Sequence, residues 1–210
     1  MVDAASGVPF GHTKFSWSGG TAKVAHAQVG DFVNDLAAKA PTPGGGATAA
    51  VGAAVGAAAA SMAAAYSQRK KDQESGAAAH AAELIASLNH SICLNAADDD
   101  AAAYADLQRS WKDNDMSSAE KATIEARALQ IPTVLIEQCH EYVMAIQNFL
   151  PSCNPNITSD AKVGIHMLAG AARAAYQTVL VNSPQQELKS RLRGLLAEIR
   201  VTEDALLELE

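Results

Sequence analysis

The sequence predicts an all-α fold, a single-domain multi-helix bundle around a buried Ala/Gly-rich helix. Three observations carry that expectation. The 210 residues are 49% hydrophobic but only 5% aromatic, so the core has to be built by close helix packing rather than by aromatic filling. The stretch from Ala47 to Ala65 is uncharged and consists almost wholly of small residues. Apolar residues elsewhere recur every three to four positions, and no segment alternates as a strand would.

In chain order, residues 1–27 hold Gly-His, Ser-Gly-Gly and a proline without a sustained period, which predicts an irregular N-terminal arm. Residues 28–210 form the helical domain. Val29, Phe32, Val33, Leu36 and Ala37 mark a first helix, ended by Pro41-Thr42-Pro43-Gly44-Gly45-Gly46. The uncharged helix that follows is long enough to cross a bilayer. Ala and Gly drive insertion weakly, however, and a core helix is the expectation, with no membrane partner. Gly52 and Gly56 form a small-xxx-small pair suited to close backbone approach, either within the chain or across a homodimer. Arg69, Lys70 and Lys71 are expected at this helix's C-terminal end, where positive charge suits the dipole.

Ala77 to about Leu107 contains neither Gly nor Pro and predicts one long helix, interrupted near Asn95. Ser117-Ser118-Ala119-Glu120 is a capping box opening the next, which Pro132 is expected to kink or divide. After the Ser152 to Asn156 turn, Thr158 or Ser159 can cap a helix beginning near Asp160. Pro184 separates that helix from a last amphipathic one carrying Leu188, Leu192, Leu195, Leu196 and Ile199.

A net charge of −7 argues against a nucleic-acid partner. Cys93, Cys139 and Cys153 are odd in number and lack CxxC spacing, so reduced thiols are expected. With no secretory signal pattern at the N-terminus, the expected location is cytoplasmic.

Several segments could carry chemistry. The Gly44–Gly46 turn enters a helix N-terminus whose amides could receive an anion, although it could equally be a plain turn. Asp98, Asp99 and Asp100 diverge around a helix, so they cannot all serve one pocket; Asp100 and Tyr104 share a face and could form a proton-transfer pair, or be a solvated acidic run. Asp160 suits a first helical turn in any case. The loop Asn154-Pro155-Asn156-Ile157-Thr158-Ser159-Asp160 gathers polar side chains able to orient a heterocycle. Glu137 and His140 have the Glu-x-x-His spacing of bundle metal sites, but the chain lacks a second copy; no metal and no cofactor are expected.

Together these segments resemble the cyclodeaminase/cyclohydrolase family, the C-terminal half of formiminotransferase-cyclodeaminase and its free-standing relatives. The resemblance runs from about Asp31 to Asn182. It rests on Asp31-Phe32 through Leu36-Ala37, Pro41 to Gly46 before a small-residue helix, Arg69-Lys70-Lys71, Asp98-Asp99-Asp100-Ala101 with Tyr104, and Asn154-Pro155-Asn156 with Ser159-Asp160-Ala161. It implies a homodimer with a folate-binding cleft near the subunit contact. It also implies either deamination of 5-formiminotetrahydrofolate or hydrolysis of 5,10-methenyltetrahydrofolate, by acid/base chemistry without metal.

Carried onto this sequence, the resemblance makes Asp100 and Asp160 the proton-moving candidates. Pro43, Gly44, Gly45, Gly46, Lys70, Lys71, Tyr104, Asn156 and Ser159 become candidates for substrate binding. Cys153, Gln68, Asp72 and Thr178 depart from the family pattern where glycine, glycine, an aromatic and asparagine are usual. A non-catalytic dimeric module binding a folate or another anion is the alternative, and a purely structural bundle a third.

Overall fold

The computed structural model describes residues 24–208. These form eight α-helices: α1 (Val29–Ala37), α2 (Gly45–Ala65), α3 (Lys70–Glu74), α4 (Ala77–Ser87), α5 (His90–Lys112), α6 (Ser118–Phe149), α7 (Thr158–Val181) and α8 (Gln186–Leu206). No strand occurs among the described residues. Of the N-terminal arm, Val24–His26 make one 3-10 turn against α5, where the Ala25 amide reaches Asp98 Oδ1 at 3.4 Å. Residues 1–23 lie outside the described residues.

α2 is the axis of the bundle, packed by α7, α5 and α4. Ala47, Ala50, Ala53, Ala57, Ala60 and Ala64 recur every three to four residues and are essentially without exposure, so one face of methyl groups meets its neighbours. This helix has the length and apolar character to cross a membrane, yet more than half of its apolar window is buried inside the protein. α7 runs antiparallel to it: Gly45 lies beside Thr178, Gly52 beside Ala171, and Gly56 beside Gly164.

The close approach anticipated at Gly56 is therefore within the chain, and its partner is Gly164. A Cβ on Gly164 would lie 2.8 Å from the Gly56 carbonyl oxygen and 3.0 Å from the Ala60 Cβ; one on Gly56 would lie 3.0 Å from the Gly164 oxygen. Around this contact the larger aliphatics Ile136, Ile146, Ile165, Leu168, Leu192 and Ile199, from α6, α7 and α8, complete the core. Ion pairs Glu137–Arg191 and Arg173–Glu203 and a hydrogen bond between His140 and Glu198 fasten α8 to α6 and α7.

Three boundaries differ from the sequence expectation, each for a local reason. The long helix breaks at Leu88-Asn89 instead of near Asn95. There the Asn89 side chain caps α5 by accepting from the Ser91 and Ile92 amides, while its own amide donates to the Tyr142 hydroxyl at 2.9 Å. Arg69 to Lys71 do not end α2, which stops at Ala65; Arg69 precedes α3 and the lysines open it, so the dipole rationale for their charge is withdrawn. Pro132 does not divide α6, which is continuous from Ser118 to Phe149.

The packing predicts opposite signs for the same substitution at two helical glycines. Alanine favours a helix by about 1 kcal/mol over glycine. Gly194→Ala, where nothing lies within 4 Å of the added methyl, should raise the urea-unfolding free energy by up to that amount. Gly164→Ala should lower it by about 1–3 kcal/mol, because separating two packed helices costs more than the propensity gain.

Candidate active site

At the N-terminus of α2 a cavity of about 480 Å³ opens between α2, α5, α6 and α7. Its polar wall is Thr42, Gly44, Gly45, Gly46, Asp100, Thr178 and Asn182; Tyr104, Leu107, Trp111 and Val181 supply the apolar side. Asp100 arrives from the middle of α5. Its Oδ2 accepts from the Ala47 amide at 3.1 Å, so one of the donors that a helix start leaves unpaired is met by the chain's own carboxylate. The carboxyl group lies directly over Gly46, where a Cβ would collide with it. Glycine at position 46 is thus a requirement of Asp100's approach. Burial pushes the Asp100 carboxyl above the usual aspartate range, and the Ala47 N–H offsets this only in part.

The three consecutive aspartates do diverge. Asp98 accepts from Ala25, Asp99 pairs with Arg127 on the far side of α5, and only Asp100 faces the cavity. Tyr104 lines the same wall but is not hydrogen-bonded to Asp100; its ring stands edge-on to Trp111, with centroids 6.3 Å apart. Pro43 belongs to the turn above the cavity without lining it.

The remaining candidates gather elsewhere. Arg69 is held by Asp72 through Nε at 2.7 Å and Nη2 at 2.8 Å, and its Nη1 donates to Asn154 Oδ1 at 2.7 Å. The guanidinium keeps the Asp72 carboxyl below its ordinary range. Asn154 is the anchor of this region: its amide donates to Ser67 Oγ at 2.8 Å, its Nδ2 to the Tyr66 carbonyl, and its Oδ1 also accepts from the Asn156 amide. On this platform Asn156, Ser159, Lys70 and Lys71 are exposed, and Ser159 Oγ donates to Asp160 Oδ2 at 3.1 Å. Asp72, a departure from the family pattern, therefore fixes the neighbouring arginine. Cys153 is buried beside Ser67, and Thr178 donates its hydroxyl to the Ala175 carbonyl in its own helix.

Asp100 and Asp160 stand at opposite ends of the bundle. Thr178, beside Gly45 at the cavity, and Asp160 are both on α7, 18 residues apart, which at 1.5 Å per residue is about 27 Å. The chain thus carries two separate sets of candidate residues, one built on Asp100 and one on Asp160.

Glu137 and His140 are engaged with Arg191 and Glu198 on α8, and the described residues contain no group of three or more His, Cys, Asp or Glu that could hold a metal ion. All three cysteines are free and buried, and burial pushes the Cys93 thiol up to about 11. Sequence reasoning missed Trp111, Asn182 and Asn154's anchoring role. Trp111 had a faint signal, its seven-residue spacing from Tyr104, which puts both on one helix face.

The Asp100 environment has a pH signature. A carboxyl whose folded pKa is raised favours the fold below its unfolded pKa and loses that contribution as pH rises through the folded value. Asp100→Asn should therefore melt higher than the parent protein at neutral pH. The difference should close below about pH 4, the ordinary aspartate range, where the parent carboxyl is neutral in both states. Thermal melts across pH 3–8 measure this.

A family profile described as formiminotransferase-cyclodeaminase matches residues 28–200. Among solved structures, the formiminotetrahydrofolate cyclodeaminase of Thermotoga maritima superposes with a TM-score of 0.66 at 19% identity, covering 87% of this chain and 92% of that one. No curated protein sequence matches. The structural likeness shows a shared fold, and the profile spans most of the chain; the protein belongs to the formiminotransferase-cyclodeaminase family.

Proposed function

We propose that the chain is a one-carbon enzyme of tetrahydrofolate, acting as a 5,10-methenyltetrahydrofolate cyclohydrolase or a 5-formiminotetrahydrofolate cyclodeaminase. The observation that carries this reading is a single carboxyl group, Asp100, seated at a helix N-terminus on the wall of a cavity with a polar and an aromatic side. Both reactions pass through a tetrahedral adduct at one carbon. In the hydrolysis, water adds to the carbon bridging N5 and N10, one proton leaves the water, and the C–N5 bond breaks with a proton delivered to N5. In the deamination, N10 adds to the formimino carbon and gives up its proton, the formimino nitrogen is protonated, and its bond to the carbon breaks to release ammonia and leave the methenyl bridge. A carboxyl held above its ordinary pKa is suited to taking and returning such protons. No metal is assigned a role in either step.

The second set, Lys70, Lys71, Asn156, Ser159 and Asp160, enters through a homodimer. α2 and α7 leave a shared apolar face uncovered: Val55, Met62, Val163 and Met167 are each 38–51% exposed. Pairing this face with its copy about a two-fold axis perpendicular to α2 reverses the helix direction, so one protomer's Asp160 end meets its partner's Asp100 end. Lysines there meet the substrate's carboxylates, and Asn156 orients the ring. The separation of the two aspartates within a protomer also favours a second reading, a dimeric module that binds a folate or another anion without turnover.

Incubation with 5,10-methenyltetrahydrofolate and, separately, with 5-formiminotetrahydrofolate, following the methenyl absorbance and ammonia, tests the activity. Chromophore loss or gain above a boiled control is expected; binding without either would establish the module. Asp100→Asn and Asp160→Asn should each lower kcat by about 10²–10⁴-fold. In a co-expressed mixture of the two variants, half of the dimers are mixed and each has one intact composite site, so about a quarter of the parent activity should return. Two inactive variants that stay inactive after mixing would mean that the site is not shared.

A further inference from the structure

Pro132 has no N–H, so inside α6 the carbonyl of Ala128, four residues earlier, lacks its helical donor. Asn182, at the end of α7, supplies one. Its Nδ2 donates to the Ala128 carbonyl at 3.4 Å and to the Thr178 carbonyl at 2.8 Å. Two acceptors on one side-chain atom decide how the amide is turned, because an oxygen in that place would face two oxygens. Asn182 Oδ1 is thereby fixed as the outward atom. It accepts nothing from the described residues and is not a buried unpartnered atom, so it is accessible, on a residue that lines the cavity with Asp100.

We infer that Asn182 is a specificity-determining residue: a hydrogen-bond acceptor, its amide turned by the Thr178 carbonyl and by the Ala128 carbonyl that Pro132 leaves free, that reads the N3–H donor of the substrate's heterocycle. This rests on the folate reading, which supplies the heterocycle. A 4-oxo pteridine presents N3–H and a 2-amino group as donors. A 2,4-diamino pteridine presents a bare N3 lone pair instead, which would oppose the Asn182 oxygen. The site therefore prefers the 4-oxo ring. Asn182 positions and selects; it exchanges no proton with the substrate.

The test pairs Asn182→Leu, which removes the acceptor, with Pro132→Ala, which returns an N–H to Ala128 and leaves the Asn182 amide held by the Thr178 carbonyl alone. Circular dichroism should show α6 retained. The parent protein should bind tetrahydrofolate more tightly than its 2,4-diamino counterpart, and the ratio of dissociation constants should fall about fivefold in Asn182→Leu, the worth of one ordinary hydrogen bond. Asn182→Leu should show a ratio no higher than Pro132→Ala. In the unliganded protein, the Asn182 side-chain NH₂ protons should exchange with solvent more slowly in the parent than in Pro132→Ala by ¹⁵N-resolved NMR.

An unchanged ratio in a folded Asn182→Leu that binds both rings, or equal exchange in the parent and Pro132→Ala, would overturn the role of Asn182 and leave the folate reading standing. Binding of neither ring by the parent would overturn the folate reading, and the ligand inferred here with it.

Discussion

The backbone contact between α2 and α7 at Gly56 and Gly164 sets the rest of the geometry. With a carbonyl oxygen of one helix where the other would carry a Cβ, the two axes can neither separate nor slide by a residue without loss of packing or a collision. That single register places Gly45 against Thr178 at one end and sends the Asp160 turn to the other. α5 and α6 then pack against this fixed pair, and the cavity is the gap left where four helices meet at the start of α2. The site inherits its dimensions from a contact several turns away.

Asp100 illustrates how a fold tolerates an awkward group. Its burial disfavours the charged form, while a helix N-terminus and the Ala47 amide favour it. The balance lies on the side of burial, which raises the carboxyl's affinity for a proton at the price of some stability. The glycine turn expected to cradle a ligand anion instead admits this carboxyl, since a side chain at Gly46 would collide with it. An anion entering the cavity would meet an N-terminus whose Ala47 amide is already engaged by the protein's own carboxyl.

Much of the fold was legible in the sequence because it depends on local pattern. The helix from Val29, the capping box at Ser117, the small-residue core helix and the last amphipathic helix follow from periodicity and breakers, and each appears where those signals put it. The break at Leu88-Asn89 was not legible, because it relies on Tyr142 from another helix. Pro132 advertised an unpaired carbonyl, but only the fold shows that Asn182, fifty residues on, satisfies it without the helix dividing. Asp100 was recognisable as one of three aspartates; which of the three turned inward depended on α2. Motif order put Asp100 and Asp160 in one list, whereas the antiparallel α2–α7 pair puts them at opposite ends, a consequence of topology that one-dimensional spacing does not contain.

The alanine surface of α2 has a thermodynamic side. A methyl group has no rotamers to lose, so burying Ala47, Ala50, Ala53, Ala57, Ala60 and Ala64 adds almost nothing to the side-chain entropy opposing folding, where leucines would each have added about 0.5–1 kcal/mol. The same absence of torsions removes internal degrees of freedom from the folded core. A void or a bulge there cannot be absorbed by a side chain swinging into another well; it has to be met by movement of whole helices. The interior of this bundle therefore behaves as a stiff body whose softness resides in its larger aliphatics and its surface, and thermal fluctuation at the cavity wall is limited by the rigidity of the helix that begins there.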